Sequence, residues 1–376
     1  MGMMMLKRLF CLCSLVLLIS CGKIEYQPVS GKAHHGPNGF VNPDASQVQR
    51  SATQYWDWNS RSGRSSSESS LPVPASLIPD IGFLQRNRTE NSITWVGHAT
   101  VLMQIAGINI LTDPHFSKRA SPVSWWGPKR LRSPGLLLHE LPDLDVVFIS
   151  NSHYDRLDEY SVKQIAAKTD PLFVVPAGID LILKQWGITK ISRLDWGETL
   201  DVKGVQLQLV PAQSWSWRLE QSANHTLWGG LVVKAPDFSF YYAGCTGYGD
   251  FLKDIGDAHQ GFDMAIFCVG QTVPGDYYQG TLMTPEQLVR THEAVKARKS
   301  LVVGWGAFRR THKSHNDSEH VAAAGQAAGL APGQIVLFEL GETGMWRPEI
   351  PDTIKNRGKT RNNPMRQWRK GEARPM

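Results

Sequence analysis

Alternating short strands and amphipathic helices between about residue 90 and residue 345 predict an α/β domain. Two observations carry that prediction. "DLDVVFISN", "PLFVVPAG" and "DMAIFCVG" read as buried strands, rich in Val, Ile and Phe. "DEYSVKQIAAKT", "IDLILKQWG" and "TPEQLVRTHEAVKAR" carry helical spacing between them. No fixed-period repeat is present.

Taken in order, residues 22–88 read as a tether and lead-in, since "NSRSGRSSSESSLPVPAS" is rich in Ser and Pro and extended. From Ser92, "SITWVGHATVLMQIAGINILTDP" alternates apolar and polar residues and is expected to form two strands around a turn at Ala106-Gly107. Asp158 is placed as an N-cap, and Gly187 closes the next helix. "GETLDVKGVQLQLVPAQ" and "LWGGLVVKAPDFSFYYAGCTG" supply further strands. Thr284 caps a helix with Pro285 at its first position, and "SLVVGWGAF" is another strand. The domain is expected over 89–346, with a basic tail over 347–376.

A hydrophobic content of 41% and a charged content of 20% in 376 residues exclude a disordered chain and allow one large domain or two ordinary ones. The formal charge of +6 is concentrated in "TIKNRGKTRNNPMRQWRKGEARPM". That composition reads first as a loosely docked tail and second as an attraction to anionic lipid. No nucleic acid is expected, because no recognition motif accompanies the charge. At the other end, Lys7 and Arg8 precede "LFCLCSLVLLIS", a run too short to span a membrane as a helix and typical of a secretion signal. Leu18-Ile19-Ser20-Cys21 resembles the bacterial lipobox, which implies cleavage before Cys21 and its acylation. Gly22 then favours the periplasmic face of the outer membrane in a bacterial cell envelope. The mature chain would keep Cys245 and Cys268, either as a disulfide or as free thiols.

The chemistry is expected on the loop Asn151-Ser152-His153-Tyr154-Asp155-Arg156, where a strand opens into closely spaced polar side chains. Imidazole nitrogens and a carboxylate on one tight loop can converge on a cation. "TWVGHATVL", "LTDPHFSKRASPVSWWGPKRLR", "ELPDLDVVFISNSHYDRLD", "PAQSW", "LWGG", "YYAGCTGYG", "MTPEQLVRTHEAV" and "GWGAF" occur in one order. In that order they resemble the N-acylphosphatidylethanolamine-hydrolysing phospholipase D group of the metallo-β-lactamase superfamily. "GFVNP" at Gly39 to Pro43 is similar to its lead-in. The resemblance implies a four-layer αββα sandwich with a metal site at the loop edge of two packed sheets. It also implies a phospholipid ligand and two zinc ions sharing a hydroxide, whose metal-lowered pKa of about 7 makes it a nucleophile.

Position by position, the resemblance leaves the ligand set altered. His153 and Asp155 are kept, whereas the family's histidines fall on Asn151, Arg156, Ser214 and Gly304, and its bridging Asp on Cys245. His98 and Asp113 match positions that support the site by hydrogen bonds. Asn and Ser are poor zinc ligands, Gly offers none, and Arg156 adds a fixed cation. The leading expectation is therefore a lipid-anchored protein without the dizinc centre, binding lipid or a protein partner. Asn-x-His-x-Asp-Arg with a cysteine also resembles the mono-zinc carbapenem-hydrolysing subclass. The alternative is thus a hydrolase with at most one zinc, at Asp155 and Cys245 beside His153, with catalysis resting on Asp155. Its third ligand falls on Gly304, for which His312, His315 or His320 would have to substitute. A third possibility is a purely structural envelope protein. Trp125, Trp126, Trp215, Trp217 and Trp228 give the region an aromatic character, part core and part available to a lipid.

Overall fold

The structure is a computed structural model describing residues 25–46, 48, 75–219, 221–270, 280–308 and 317–346. The signal run with Cys21, the histidines His312 and His315, and the basic tail lie outside the described residues. In chain order the first half carries β1 (His35–Gly36), β2 (Gly39–Phe40), α1 (Ile81–Arg86), β3 (Asn91–Gly97), β4 (Thr100–Ile105), β5 (Ile108–Thr112), β6 (Val146–Phe148), α2 (Glu159–Thr169), β7 (Leu172–Pro176), α3 (Ile179–Gln185) and β8 (Ile191–Leu194). The second half carries β9 (Thr199–Val202), β10 (Val205–Val210), β11 (Gly230–Lys234), β12 (Ser239–Tyr242), α4 (Phe251–His259), β13 (Phe262–Cys268), α5 (Pro285–Ala294), β14 (Ala297–Val303), α6 (Asp317–Ala327), β15 (Ile335–Leu337) and β16 (Thr343–Trp346).

Two mixed seven-stranded sheets face each other, in the orders β16-β3-β4-β5-β6-β7-β8 and β15-β14-β13-β12-β11-β10-β9. Each is antiparallel on one side and parallel on the other, the parallel parts being β5 to β8 and β12 to β15. Strand periodicity assigns each side chain to a layer. Val146 and Phe148 of β6 enter the core between the sheets, and Val147 packs outward. Likewise Met264, Ile266 and Cys268 of β13 face inward, whereas Ala265 and Phe267 face out. Leu84 of α1, Val162 and Ile165 of α2, and Ile182 and Leu183 of α3 cover the first sheet. Leu252 of α4, Leu288 of α5 and Val321 of α6 cover the second. The result is the four-layer αββα sandwich implied by the resemblance.

Several elements match the sequence reading, and two do not. Thr284 Oγ1 accepts a hydrogen bond from the Gln287 amide, Gln287 Oε1 accepts one from the Thr284 amide, and Pro285 opens α5. Asp158 stands before α2 without capping it; its carboxylate takes the hydroxyl of Ser117 at 2.8 Å and that of Ser161 instead. The stretch from Ser92 holds three strands in place of the expected two. Its extra turn falls at His98, where Gly97 and His98 both have positive φ (138° and 54°) and reverse the chain into β4. That turn is what lifts His98 to the sheet edge. Among the described residues, no helix is long and apolar enough to cross a membrane.

β3 is braced from behind by two glycines in close approach. The Gly135 amide donates to Val96 O and the Gly341 amide to Trp95 O, each at 2.8 Å. A Cβ on Gly135 would lie 2.0 Å from the Gly341 nitrogen. Gly135→Ala is therefore expected to destabilise the domain by about 1–3 kcal/mol, read as a lower urea midpoint with unchanged m-value.

Candidate functional site

The residues singled out by sequence sit where parallel strands end, the edge at which open α/β sheets bind ligands. Asp113 follows β5, the Asn151–Arg156 loop follows β6, Cys245 follows β12 and Gly304 follows β14. Ser214 follows β10 across the sheet interface. Arg156 joins most of them. Its side chain is 1% exposed, one of the largest fully buried side chains among the described residues.

The Arg156 guanidinium donates through Nη2 to the Cys245 sulfur and lies 3.7 Å from the Cys268 sulfur. Its Nη1 is 3.5 Å from Asp155 Oδ2, and its Nε is 3.8 Å from Asp113 Oδ2. Both cysteines are free, which corrects the disulfide alternative. The guanidinium reaches both sulfurs, and the Cys268 thiol donates to Cys245. That hydrogen bond and then Arg156 bring the Cys245 thiol below its ordinary value against the effect of burial. The same hydrogen bond and burial push Cys268 well up.

Asp155 accepts from His98 Nε2 at 2.8 Å. Burial would raise its carboxyl, but Arg156 and then His98 outweigh that and hold it well below the usual carboxylate range. Asp113 receives three donors at 2.6 Å: the Ser150 amide, the Ser150 hydroxyl and Tyr242 Oη. Burial still pushes it up to about 6 against the pull of Arg156. Behind His98 stands Phe308, whose ring meets both His98 and His115 edge-on and carries the Arg130 guanidinium on its face. None of Ser150, Tyr242, Phe308, His115 or Arg130 was singled out by sequence. Tyr242 alone had a signal there, as an inward-facing strand residue just before the expected site cysteine.

The remaining positions are occupied by backbone-directed contacts. Asn151 donates to Trp215 O at 2.9 Å and accepts the His153 amide at 3.0 Å. The Ser214 amide donates to Asn42 Oδ1 at 2.8 Å, so the "GFVNP" stretch forms a wall of the site. His153 packs edge-on to Trp215, and its Nε2 has no hydrogen-bond partner among the described residues. Gly304 donates its amide to His98 O at φ 87°, and a Cβ there would press on Cys268 Cβ at 3.3 Å. His320 is exposed on α6.

His153, Asp155 and Cys245 do not form a tight group of ligand atoms. Among the described residues that distinction belongs to His34, His35 and Asp195, whose ligand atoms lie within 4.8 Å of one another. His34 Nε2 and His35 Nε2 contact separate Asp195 oxygens at 2.5 and 2.8 Å, while Lys32 Nζ is 2.7 Å from one of them. His35 Nδ1 accepts the Val29 amide, so its Nε2 carries the proton. The cluster thus clasps the 25–46 segment onto the end of β8, its carboxylate already neutralised by Lys32. "HH" was legible in the sequence; an Asp 160 residues further on was not.

Two outcomes follow from this geometry. Arg156→Met takes the cation away from the buried Asp113 and from the half-buried Asp155 and Cys245, and should cost about 3 kcal/mol in chemical denaturation, the lower end for a buried pair. Adding Asp155→Asn and Cys245→Ser to that background should recover part of the loss. The second concerns pH. Burial first, and then Arg156 and Arg218, lower His153 from 6.5 to about 4. The folded state therefore favours the neutral ring. Its contribution is whole above pH 6.5 and is lost as pH falls towards 4, reaching up to about 2 kcal/mol at about pH 5. His153→Gln should remove that part of the acid sensitivity when urea midpoints at neutral pH and about pH 5 are compared.

A beta-lactamase superfamily domain model matches residues 108–305, more than half of the chain. N-acyl-phosphatidylethanolamine-hydrolyzing phospholipase D 1 of Caenorhabditis elegans is 36% identical over 57% of this chain and 64% of its own length, so the chain spans less than two thirds of that relative. An uncharacterized protein of Mycobacterium bovis is 34% identical over 72% of this chain and 73% of its own. Among solved structures, a possible metal-dependent hydrolase from Veillonella parvula superposes with a TM-score of 0.57 at 16% identity, over 69% of this chain and all of that one, and shows the shared fold. With its two facing sheets, outer helices and loop-edge cluster, the chain belongs to the metallo-β-lactamase superfamily.

Proposed function

We propose that the chain is a phospholipid-binding member of its superfamily in which Arg156 stands in place of the metal, so that dizinc phosphodiester chemistry is lost. The observation that carries this reading is the buried guanidinium on Asp155, Cys245 and Asp113. Asp155 and Cys245 are the donors a zinc ion would need, and both face a cation that cannot be deprotonated. A divalent ion at ordinary zinc–ligand distances from those donors would lie a few ångströms from that charge, a repulsion of several kcal/mol at intermediate dielectric. The zinc pair does not fit this donor set. Asn151, Ser214 and Gly304 supply backbone-directed contacts where imidazoles would be needed.

The ligand class is drawn from the nematode relative, whose name specifies N-acyl phosphatidylethanolamines. An acylated Cys21 on the periplasmic face of the outer membrane belongs to the same reading, since it would place the domain beside such lipids. A second reading, one zinc at Asp155 and Cys245, draws support from the lowered Cys245 thiol and from His153 Nε2, buried without a hydrogen-bond partner among the described residues.

Metal analysis separates the two. The protein purified after growth with zinc should hold far less than one zinc per chain. It should still bind N-acyl phosphatidylethanolamine in micelles, unaffected by chelators. One equivalent of zinc that disappears in Cys245→Ala would overturn the arginine reading and establish the single-zinc one.

A further inference from the structure

Beside the site, the loop after β5 folds into a hairpin whose tip is Trp125-Trp126. Arg119 and Lys129 pair across its base, and the Ala120 amide donates to Pro128 O at 3.0 Å. The Arg119 guanidinium braces the tip from inside, donating to Ser124 O at 3.1 Å and Gly127 O at 2.6 Å. Gly127 makes the turn at φ 98°, where a Cβ would meet Ser121 Cβ at 2.6 Å. This bracing holds two indoles out in water, Trp125 at 76% and Trp126 at 39% exposure. An ordered loop that presents indoles in place of burying them forgoes about 1.5–3 kcal/mol of burial for each fully covered large side chain, a cost that contact with an apolar surface would reverse.

Further apolar groups lie around the same place. A groove of about 680 Å³ separates the hairpin from the start of α2, with Ser124 on one wall and Tyr154 and Tyr160 on the other. Tyr160 is 55% exposed; Leu219, 66% exposed, donates its amide to Tyr154 Oη. Of the eight exposed large apolar side chains among the described residues, Tyr160 lines this groove, Trp125 and Trp126 follow its Ser124, and Leu219 follows its Arg218. The charge around them is positive on balance. Lys118 and Lys129 are exposed at the hairpin base, and the Arg119 guanidinium donates to neutral carbonyls. The two carboxylates of the groove are already engaged, Asp158 by Ser117 and Ser161 and Glu159 by Lys163.

We propose that this aromatic hairpin and groove rim seat on the interface of an anionic phospholipid bilayer, the indoles at headgroup depth and Lys118 and Lys129 against the lipid phosphates. Amphipathic rings over a basic base suit a surface that is apolar beneath and negatively charged above. The choice of a phospholipid surface rests on the ligand class proposed above; the presence of a surface rests on the hairpin alone. Arg130 links the two regions, its backbone amide bound to Lys118 O and its guanidinium lying on Phe308 behind His98.

The test uses the full chain, tail and N-terminus included, with vesicles of equal parts phosphatidylcholine and phosphatidylglycerol carrying brominated acyl chains. Binding should quench tryptophan fluorescence, and Trp125→Ser/Trp126→Ser should lose most of that quenching. In high salt, which screens the basic tail, the double variant should also partition roughly tenfold or more weakly. Lys118→Glu/Lys129→Glu should weaken binding to these vesicles and leave binding to pure phosphatidylcholine unchanged. Quenching and partitioning equal to wild type in the Trp variant would overturn the proposal. So would a tip that holds two copies of the chain together without vesicles and shows no quenching with them. Zinc content, measured on the same proteins, reports on Arg156 separately, so failure of one idea leaves the other standing.

Discussion

The loop edge of this fold is arranged around one guanidinium that is 1% exposed: Arg156 hydrogen-bonds through Nη2 alone, while its Nε and Nη1 are held by the charge of Asp113 and Asp155 at 3.8 and 3.5 Å and have no hydrogen-bond partner among the described residues. Carboxylates approach from the ends of β5 and β6, and sulfurs from the ends of β12 and β13. The two sheets are therefore joined at this edge by charge as well as by packing. Each acceptor is in turn fixed by a neighbour: Asp155 by His98, Asp113 by Ser150 and Tyr242, Cys245 by Cys268. Breaking one contact leaves several groups uncompensated, which makes a buried polar network an all-or-none device.

The N-terminal segment shares in this arrangement from outside. Lys32, His34 and His35 converge on Asp195, beyond the end of β8, and Asn42 reaches the Ser214 amide. Phe40 joins the core between the sheets and also donates its amide to Asn224 O at 2.8 Å. A stretch whose sequence reads as a lead-in thus contributes a wall of the site. The clasp works because a single carboxylate can accept from several donors at once, so three short side chains of the segment are held by one residue of the domain.

The loop between Asp113 and Gly135 gives this edge its second face. One of its ends supplies Asp113 to the arginine network; its middle projects Trp125 and Trp126; its return strand brings Arg130 back beneath Phe308. Chemistry at the sheet edge and recognition at the surface are therefore carried by one continuous segment. Its conformation is set in large part by backbone-directed arginine contacts.

By itself the sequence determined the layers. The period-two patterns of β6, β10 and β13 and the capped start of α5 are local properties, and local properties are legible without a fold. It also located the altered positions Asn151, Arg156, Ser214, Cys245 and Gly304, because the motifs around them keep their order. What only the tertiary structure decided is how those positions meet. That Arg156 lies against both Cys245 and Cys268, that Tyr242 supports Asp113, and that Asp195 holds His34 and His35 are contacts between residues 89 to 161 positions apart. Such pairings depend on which strand ends share an edge, which is fixed by the burial of the whole core and leaves no trace in residue spacing. The turn at His98 was missed for a related reason: apolar alternation runs through it, and only the positive φ of Gly97 and His98 shows that the chain reverses there.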